Sequence, residues 1–490
     1  MDAGSSKIRN ILIIKKKKKK KADRLDKYEE FKERIKRSVE EFKKIGKRET
    51  IRIISHLDCD GIAACSILIK AFNRENRKYS ISIIQQLNEK IINELKNEDY
   101  FFFFFSDLGS AYSELIYKSF KNVFILDHHK LNKKDNNITH INPHLFNIDG
   151  SKEISGAGVA YLFAKELNEK NKDMAHIAVI GAIGDIQENN GFLKLNDEIL
   201  QEAIKQGTIK IKKGLKVFGS YTKPLHKVLE YSSDIYVPGV TGSETNSIKF
   251  LQNLGINPKN GDGWRKMTEL NEDEMQRLIT AIVIKRDSQS NPEDIIGYSY
   301  ILTKETYDQL KGAKEFSTIL NACGRLNKAS LGIGCCLGDK KNKKRAIENL
   351  VNYKKEIVNA MNWYNDNKNN KNIIKKKEKF IIINAKDNIL PTITGTLASM
   401  LARNNEFEEG TLILSMAQQM DDTTKVSLRV VGKNKNDLME IINKITEKVD
   451  GDAGGHKDAA GAIIKTEKEE EFVKEAEKIL NEATLEENIS

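Results

Sequence analysis

The sequence predicts an α/β fold: a parallel-sheet domain, a smaller α/β unit toward the C-terminus, and an inserted domain between them. Three observations carry this expectation. Early in the chain, short apolar runs alternate with stretches of helical period, the pattern of parallel strands joined by crossover helices. The same alternation resumes at Phe380. Between the two, residues 216–315 hold four of the six prolines and break the rhythm.

The 490 residues are 39% hydrophobic and 31% charged, the balance of a folded chain rather than a disordered one. At roughly 150 residues per domain, the length suggests about three domains. No apolar run approaches the ~20 residues of a membrane-crossing helix, and residues 11–14 are too short an apolar stretch for a secretory signal. Cys59, Cys65, Cys323, Cys335 and Cys336 are odd in number and form no CxxC pair, so neither a disulfide framework nor a zinc knuckle is expected. A reducing cytoplasm is the expected setting. Lys7, Arg9 and the lysines at 15–21, against Asp2, supply +8 of the net +11. That run reads as a solvated tail, with a phosphate-gripping arm as the alternative, and the rest of the chain is near neutral.

In chain order, Leu25, Tyr28, Phe31, Ile35, Val39 and Phe42 recur at helical spacing and predict an amphipathic leading helix over 23–47. Strands are expected at 51–54, 81–84, 101–105 and 123–126, with helices at 62–73 and 111–118 between them. Ser155 is placed to cap a helix that continues through 159–167, and a further helix over 173–183 leads into Gly184-Asp185. Residues 340–372 predict a long helix and a linker. Beyond them, strands are expected at 380–383, 411–416 and 426–431 and helices at 394–403, 437–449 and 467–483. No repeat of fixed period is visible.

Three of the early strands run into polar residues: His56 to Asp60, Asp107, and Asp127-His128-His129. Ligands of open α/β sheets bind at the carboxyl ends of strands, so these side chains are expected along one edge. Any one of them alone reads equally well as an ordinary loop residue. His56, Asp58 and Asp60 fall at alternate positions and, in extended chain, would share one face while Cys59 points away. Carboxylates with imidazole and no thiolate suit Mg²⁺ or Mn²⁺. With His128 and Asp185, the candidates exceed what one octahedral ion normally takes from protein. Two ions about 4 Å apart are therefore expected, the arrangement that assists phosphoester hydrolysis. No GxxxxGK[ST] loop occurs, which disfavours the Walker route.

These residues resemble the motifs of the DHH phosphoesterases: His56-x-Asp58-x-Asp60-Gly61, then Asp107, Asp127-His128-His129 and Gly184-Asp185, in order. Residues 156–160, 320–326 and 330–332 resemble the RecJ exonuclease branch, and Gly454-Gly455-His456 with residues 460–462 resembles its DHH-associated C-terminal domain. The group most similar is the archaeal RecJ-like, or GINS-associated, nucleases. Bacterial RecJ has Asp where His56 stands, which leaves that ligand less certain than Asp58 and Asp60.

The resemblance implies a domain plan: tail and leading helix (1–47), DHH catalytic domain (48–215), insertion (216–315), a return to the catalytic domain (316–339), connecting helix or linker (340–375), and DHH-associated substrate-binding domain (376–490). It implies one ion held by Asp58 and Asp107, with His56 as a further candidate, and a second held by Asp60, Asp107, His128 and Asp185. It also implies that water between the ions attacks phosphorus, that His129 faces the scissile phosphate, and that Asp127 supports it. Gly454, Gly455, His456 and Arg429 would hold substrate; Arg325 is a candidate for phosphate or for a local ion pair. The implied activity is a Mn²⁺- or Mg²⁺-dependent exonuclease on single-stranded DNA or RNA, cutting 5′ to 3′, in replication or repair. The alternatives are a phosphatase or nanoRNase acting on short oligonucleotides, and a replisome scaffold. The insertion is the expected dock for a GINS-type partner, and no membrane partner is expected.

Overall fold

Parallel strands buried on both faces need apolar residues at successive positions, and the aromatic run at 101–105 supplies them. In the computed structural model Phe103 and Phe105 face one layer, with Ile54, Ile92, Leu95, Ile116 and Phe120. Phe104 faces the other, where Phe42, Phe72, Phe124 and Phe163 contact its ring. Phe101, expected in the buried strand, is 60% exposed, because the strand begins one residue later. The structure describes residues 26–487, apart from 136, 190, 232–234, 287–294, 404–405 and 433–436; for His456 and residues 484–487 only the backbone is described. The lysine run at 15–21 lies outside the described residues.

The chain divides into two compact units, residues 1–324 with 329–343, and residues 325–328 with 344–490. In the first unit, β1 (Thr50–His56), β2 (Lys78–Ile84), β3 (Phe102–Ser106), β4 (Val123–Leu126) and β5 (His140–Ile141) form a sheet of order β2-β1-β3-β4-β5. Every pairing is parallel. The register sets Ser55 beside Ser106 and Ser106 beside Leu126, so β1, β3 and β4 end at one level. The leading helix is Lys27–Lys43, shorter than expected, and buries Phe31, Ile35, Val39 and Phe42. Helices Cys59–Arg74, Gly156–Leu167 and Ala175–Gly184 pack against one another behind the sheet edge.

The insertion hangs on an antiparallel ribbon of β6 (Ile209–Leu215) and β9 (Ile296–Leu302), with a small hairpin, β7 (Lys259–Asn260) and β8 (Gly263–Trp264), between them. It has its own core, including Leu225, Val228, Leu229, Val237, Leu251, Leu278 and Ile282. The chain then returns through helices Ala313–Arg325 and Ala329–Cys336; the Cys59 N–H donates to Asn321 Oδ1 at 2.9 Å.

In the second unit β10 (Ile374–Lys376), β11 (Phe380–Asn384), β12 (Leu412–Gln418), β13 (Thr423–Val430), β14 (Asp452–His456) and β15 (Ala459–Lys465) form a mixed sheet of order β10-β11-β12-β13-β15-β14. Helices Leu438–Thr446 and Glu469–Glu487 cover its core of Phe380, Leu412, Val426, Leu428, Ile442 and Phe472. The expected long helix spans Lys340–Asn367, and residues 344–375 fall in the second unit together with Arg325 to Lys328.

Candidate metal centre

The site forms where β1, β3 and β4 end, and the local path at each strand end decides where the side chains go. Past His56 the chain does not stay extended. Asp58 caps helix Cys59–Arg74, its Oδ1 accepting the Gly61 N–H at 3.0 Å, and Asp60 lies in the first helical turn. The expected alternation along extended chain is therefore wrong: His56 and Asp58 meet Asp107, while Asp60 meets His128 and Asp185. Gly61 permits the tight turn, since a Cβ there would sit 2.4 Å from the His56 carbonyl oxygen. Cys59 does point away, its Sγ lying 3.4 Å from the Ile180 carbonyl in the core.

Asp60 is fully buried, and its two oxygens accept the N–H groups of Gly156 (2.6 Å) and Ala157 (3.0 Å) at the start of helix Gly156–Leu167. A helix N-terminus favours negative charge, so this helix is aimed to hold the carboxylate. Ser155 caps the same helix through the Gly158 N–H, as expected.

Asp107 follows β3 with φ +60°, an uncommon left-handed conformation for a residue bearing a side chain. Its N–H continues the sheet ladder to the Leu126 carbonyl at 2.8 Å. Both of its carboxylate oxygens are buried without a hydrogen-bond partner among the described residues. They lie 3.3 Å from His128 Nε2 and 3.7 Å from His56 Nδ1.

His128 is buried, and its Nδ1 lies 2.6 Å from the Gly150 carbonyl. A carbonyl only accepts, so Nδ1 carries the proton and Nε2 is directed at the carboxylates. That nitrogen is 3.3 Å from Asp185 Oδ2 and 3.7 Å from Asp60 Oδ2. Gly150 and Gln187, which donates to the same carbonyl at 3.0 Å, escape sequence reading because neither carries a ligand atom to the site.

Asp127 turns away from the ligands. Its Oδ1 accepts the His128 and His129 backbone N–H groups (2.8 and 3.2 Å) and pairs with His129 Nδ1 at 2.7 Å, while Oδ2 accepts the Ser110 N–H at 2.9 Å. Burial opposes its ionisation, but His129, His128 and the Ser110 N–H outweigh it and hold Asp127 below the usual carboxylate range. His129 keeps a side chain 31% exposed, so it is the outward histidine of the pair.

The electrostatics are those of crowded, buried carboxylates. Burial pushes the Asp60 carboxyl up, and repulsion from Asp107 and Asp185 adds to it. Asp185, which caps helix Ala175–Gly184, is pushed up to about 7 by burial, against the pull of His128 and with the repulsion of Asp58 and Asp107. Burial resists protonation of His56 and His128, yet the surrounding carboxylates hold both above the ordinary imidazole range. For Asp58, burial is overcome by His56 and the Gly61 N–H, and the carboxyl is held low.

Three overlapping groups of ligand atoms lie within 4.8 Å: His56, Asp58 and Asp107; Asp60, His128 and Asp185; and Asp107, His128 and His129. Crowded hard carboxylates, directed imidazoles and the two unmatched Asp107 oxygens fit a divalent cation of the Mg²⁺ or Mn²⁺ type.

The other candidate residues belong to the second unit. Arg429 on β13 donates from Nε to Ser399 Oγ (3.1 Å) and from Nη1 to the Leu428 and Ala460 carbonyls (2.8 and 3.2 Å). Arg325 donates to the Thr392 carbonyl at 2.8 Å, a backbone partner rather than an ion pair. Burial, with Arg429 and Arg325 as positive neighbours, pushes the Lys425 ammonium down to about 8. Lys425 and Arg429 flank Ser427 at alternate positions of β13, and Lys425 is a basic residue that sequence reading misses. Alternation along the strand is the signal that could have found it. Gly454 and Gly455 lie on edge strand β14 opposite Gly461 and Ala460. The His456 side chain is outside what is described.

Family models match three segments of the chain: the DHH family N-terminal domain over residues 50–184, the DHH-CID domain over 217–297 and the DHHA1 domain over 377–482. The chain belongs to the DHH family. It is 30% identical over 439 residues to an uncharacterized protein of Methanocaldococcus jannaschii, covering 88% of this chain and 93% of that protein. In fold it is similar to exonuclease RecJ bound to manganese (TM-score 0.54, 15% identity, 91% of this chain and 94% of that one). It is also similar to RecJ of Thermus thermophilus in complex with Mn²⁺ (TM-score 0.56, 16% identity, 92% and 55%). CDC45 of Entamoeba histolytica shares the fold too (TM-score 0.59, 13% identity, 91% and 99%). No helix among the described residues is long and apolar enough to cross a membrane.

Proposed function

We propose that the chain is a Mn²⁺- or Mg²⁺-dependent exonuclease of single-stranded DNA or RNA, acting 5′ to 3′ in replication or repair, in the cytoplasm. The observation that supports this is Asp107, whose two buried, unmatched oxygens stand between the His56–Asp58 group and the Asp60–His128–Asp185 group. On this reading one ion is held by Asp58 and Asp107, with His56, and the other by Asp60, Asp107, His128 and Asp185. Such ions, when bound, supply activation of water and neutralisation of phosphoryl charge.

The chain's own groups do the rest. Gly150 fixes the tautomer of His128 through Nδ1, and the helix at Gly156 fixes Asp60. Asp127 pairs with His129 Nδ1 and, against the desolvation of the ring, holds its pKa above the ordinary value, so that this imidazole meets the charge developing on a phosphate oxygen. In the second unit, Arg325, Lys425 and Arg429 form the positive surface for strand phosphates, with the backbone of Gly454 and Gly455 and the side chain of His456.

The test is cleavage of 5′- and 3′-labelled single strands of DNA and RNA with Mn²⁺, Mg²⁺ or chelator. Ion-dependent shortening of the 3′-labelled strand, with immediate release of label from the 5′-labelled one, is expected. No cleavage of any strand with either ion sinks the reading; exclusive cleavage of very short oligonucleotides moves it to the nanoRNase alternative. The resemblance to GINS-associated nucleases gives the insertion, which the DHH-CID model matches, a second proposed role, docking a GINS-type replisome protein. A pull-down that survives excision of the insertion removes that role.

A further inference from the structure

At the root of the insertion ribbon, next to the metal centre in sequence, the first unit holds a cavity of about 410 Å³. Its wall includes Ile183, two residues before Asp185. The volume lies in the range of about 300–1,000 Å³ typical of small-molecule sites. Its lining combines two chemistries. Lys213, Lys216 and Lys314 bring positive charge, and Tyr298 brings a ring. Lys213 and Tyr298 are direct cross-strand partners on β6 and β9, so an ammonium and an aromatic face project side by side from one ribbon. Tyr298 is 50% exposed, so its ring is open to a ligand. Two positions along, Tyr300 is held in the wall by Phe192, their rings 5.1 Å apart.

Two carboxylates also line the cavity. Glu315 turns its Oε1 to the Gly219 N–H at 2.9 Å, which fixes the floor, and Glu188 is the other. Three lysines against two carboxylates leave the cavity positive. Lys216 is already positioned, donating to Asn189 Oδ1 at 2.8 Å.

We infer that this cavity binds a nucleoside monophosphate unit, with the base against Tyr298 and the phosphate among Lys213, Lys216 and Lys314. A ring plus ammonium groups is the recognition set for a base joined to a phosphate, and stacking on an aromatic face tolerates any base. The identity of the ligand rests on the nuclease reading, whereas the cavity and its lining do not. The unit is either a released mononucleotide or the terminal residue of a strand.

The full chain is titrated with dAMP, inorganic phosphate and a short single strand in chelator, so that no ion at the metal centre holds the phosphate. The wild type should bind dAMP well above inorganic phosphate. Tyr298→Ala should weaken dAMP binding by about tenfold or more, Lys213→Ala should weaken it as well, and Tyr298→Phe should restore it. Both positions lie on an exposed ribbon, and unchanged thermal melting of the variants confirms their fold. No dAMP binding, or binding unmoved by Tyr298→Ala, overturns the inference. Strand binding that Tyr298→Ala weakens as it weakens dAMP binding identifies the strand end as the occupant; strand binding unmoved by Tyr298→Ala identifies the mononucleotide. If dAMP binds through Tyr298 but no strand is ever cleaved, the cavity stands and the nuclease reading falls.

Discussion

Asp107 is the side chain on which the candidate centre depends. It is buried, carries a left-handed backbone, and offers two oxygens that no donor among the described residues satisfies. Burying a carboxylate this way is costly unless a cation completes it. Asp107→Ala is therefore expected to abolish ion-dependent hydrolysis and to erase the Mn²⁺-induced rise in melting temperature. For the wild type that rise corresponds to about 2.7 kcal/mol when Mn²⁺ is a hundredfold above its Kd. Wild-type turnover in the variant refutes the shared-ligand assignment. Asp185 gives the pH dependence. Its carboxyl is pushed up to about 7 in the folded chain, from 3.8 as its ordinary value, so the folded state binds this proton more tightly than the unfolded one. The stability it contributes is present below about pH 4 and is lost as pH rises through about 7. In chelator, Asp185→Asn should thus be more stable than wild type at neutral pH, with the gain vanishing toward pH 4. Denaturant melts at both pH values check this, and a gain independent of pH refutes it.

At the scale of elements, helix Gly156–Leu167 matters through its first residue. Gly→Ala in a helix ordinarily stabilises by about 0.5–1 kcal/mol. At Gly156, however, the new Cβ would sit 2.3 Å from Asp107 Oδ1, so Asp107 must give way. Gly156→Ala is expected to cost about 1–3 kcal/mol in urea unfolding and to weaken Mn²⁺ binding. A stabilised variant with unchanged affinity would show that the glycine is not needed for this close approach. The neighbouring elements explain how far sequence reading reaches. β1, β3 and β4 are legible because their continuous apolar runs can only be buried, and the acidic and histidine residues at their ends mark the site. The turn from His56 to Asp60 is not, because a glycine's tolerance for crowding by a carbonyl leaves no trace in periodicity. Likewise β14 and β15 carry no strand expectation: Asp452–His456 has too few large side chains to show alternation, and its pairing partner alone defines it.

On the scale of the whole molecule, the insertion carries a core of its own within the first unit. Its core residues pack among themselves, and β6 and β9 bring Leu215 and Ile296 directly opposite one another where the insertion begins and ends. Its presence is legible from clustered prolines, but its attachment is not, since an antiparallel ribbon of Ile, Lys and Gly gives little hydrophobic alternation. Ends this close can be joined by a two-residue hairpin turn without moving the strands. Loop closure then favours the shortened chain slightly, because a shorter connection loses less entropy on closing. Replacing residues 216–295 with Asn-Gly should therefore leave the ribbon, and with it helix Ala175–Gly184 and Asp185, in place. The excised protein should keep Mn²⁺ binding and hydrolysis of a strand within a few-fold of wild type. It should bind dAMP more weakly, because Lys216 has gone while Lys213, Tyr298 and Lys314 remain. Calorimetric titration with Mn²⁺ and with dAMP separates the two outcomes. Loss of Mn²⁺ binding in a protein that still melts cooperatively would mean that the insertion shapes the metal centre rather than hanging from its edge.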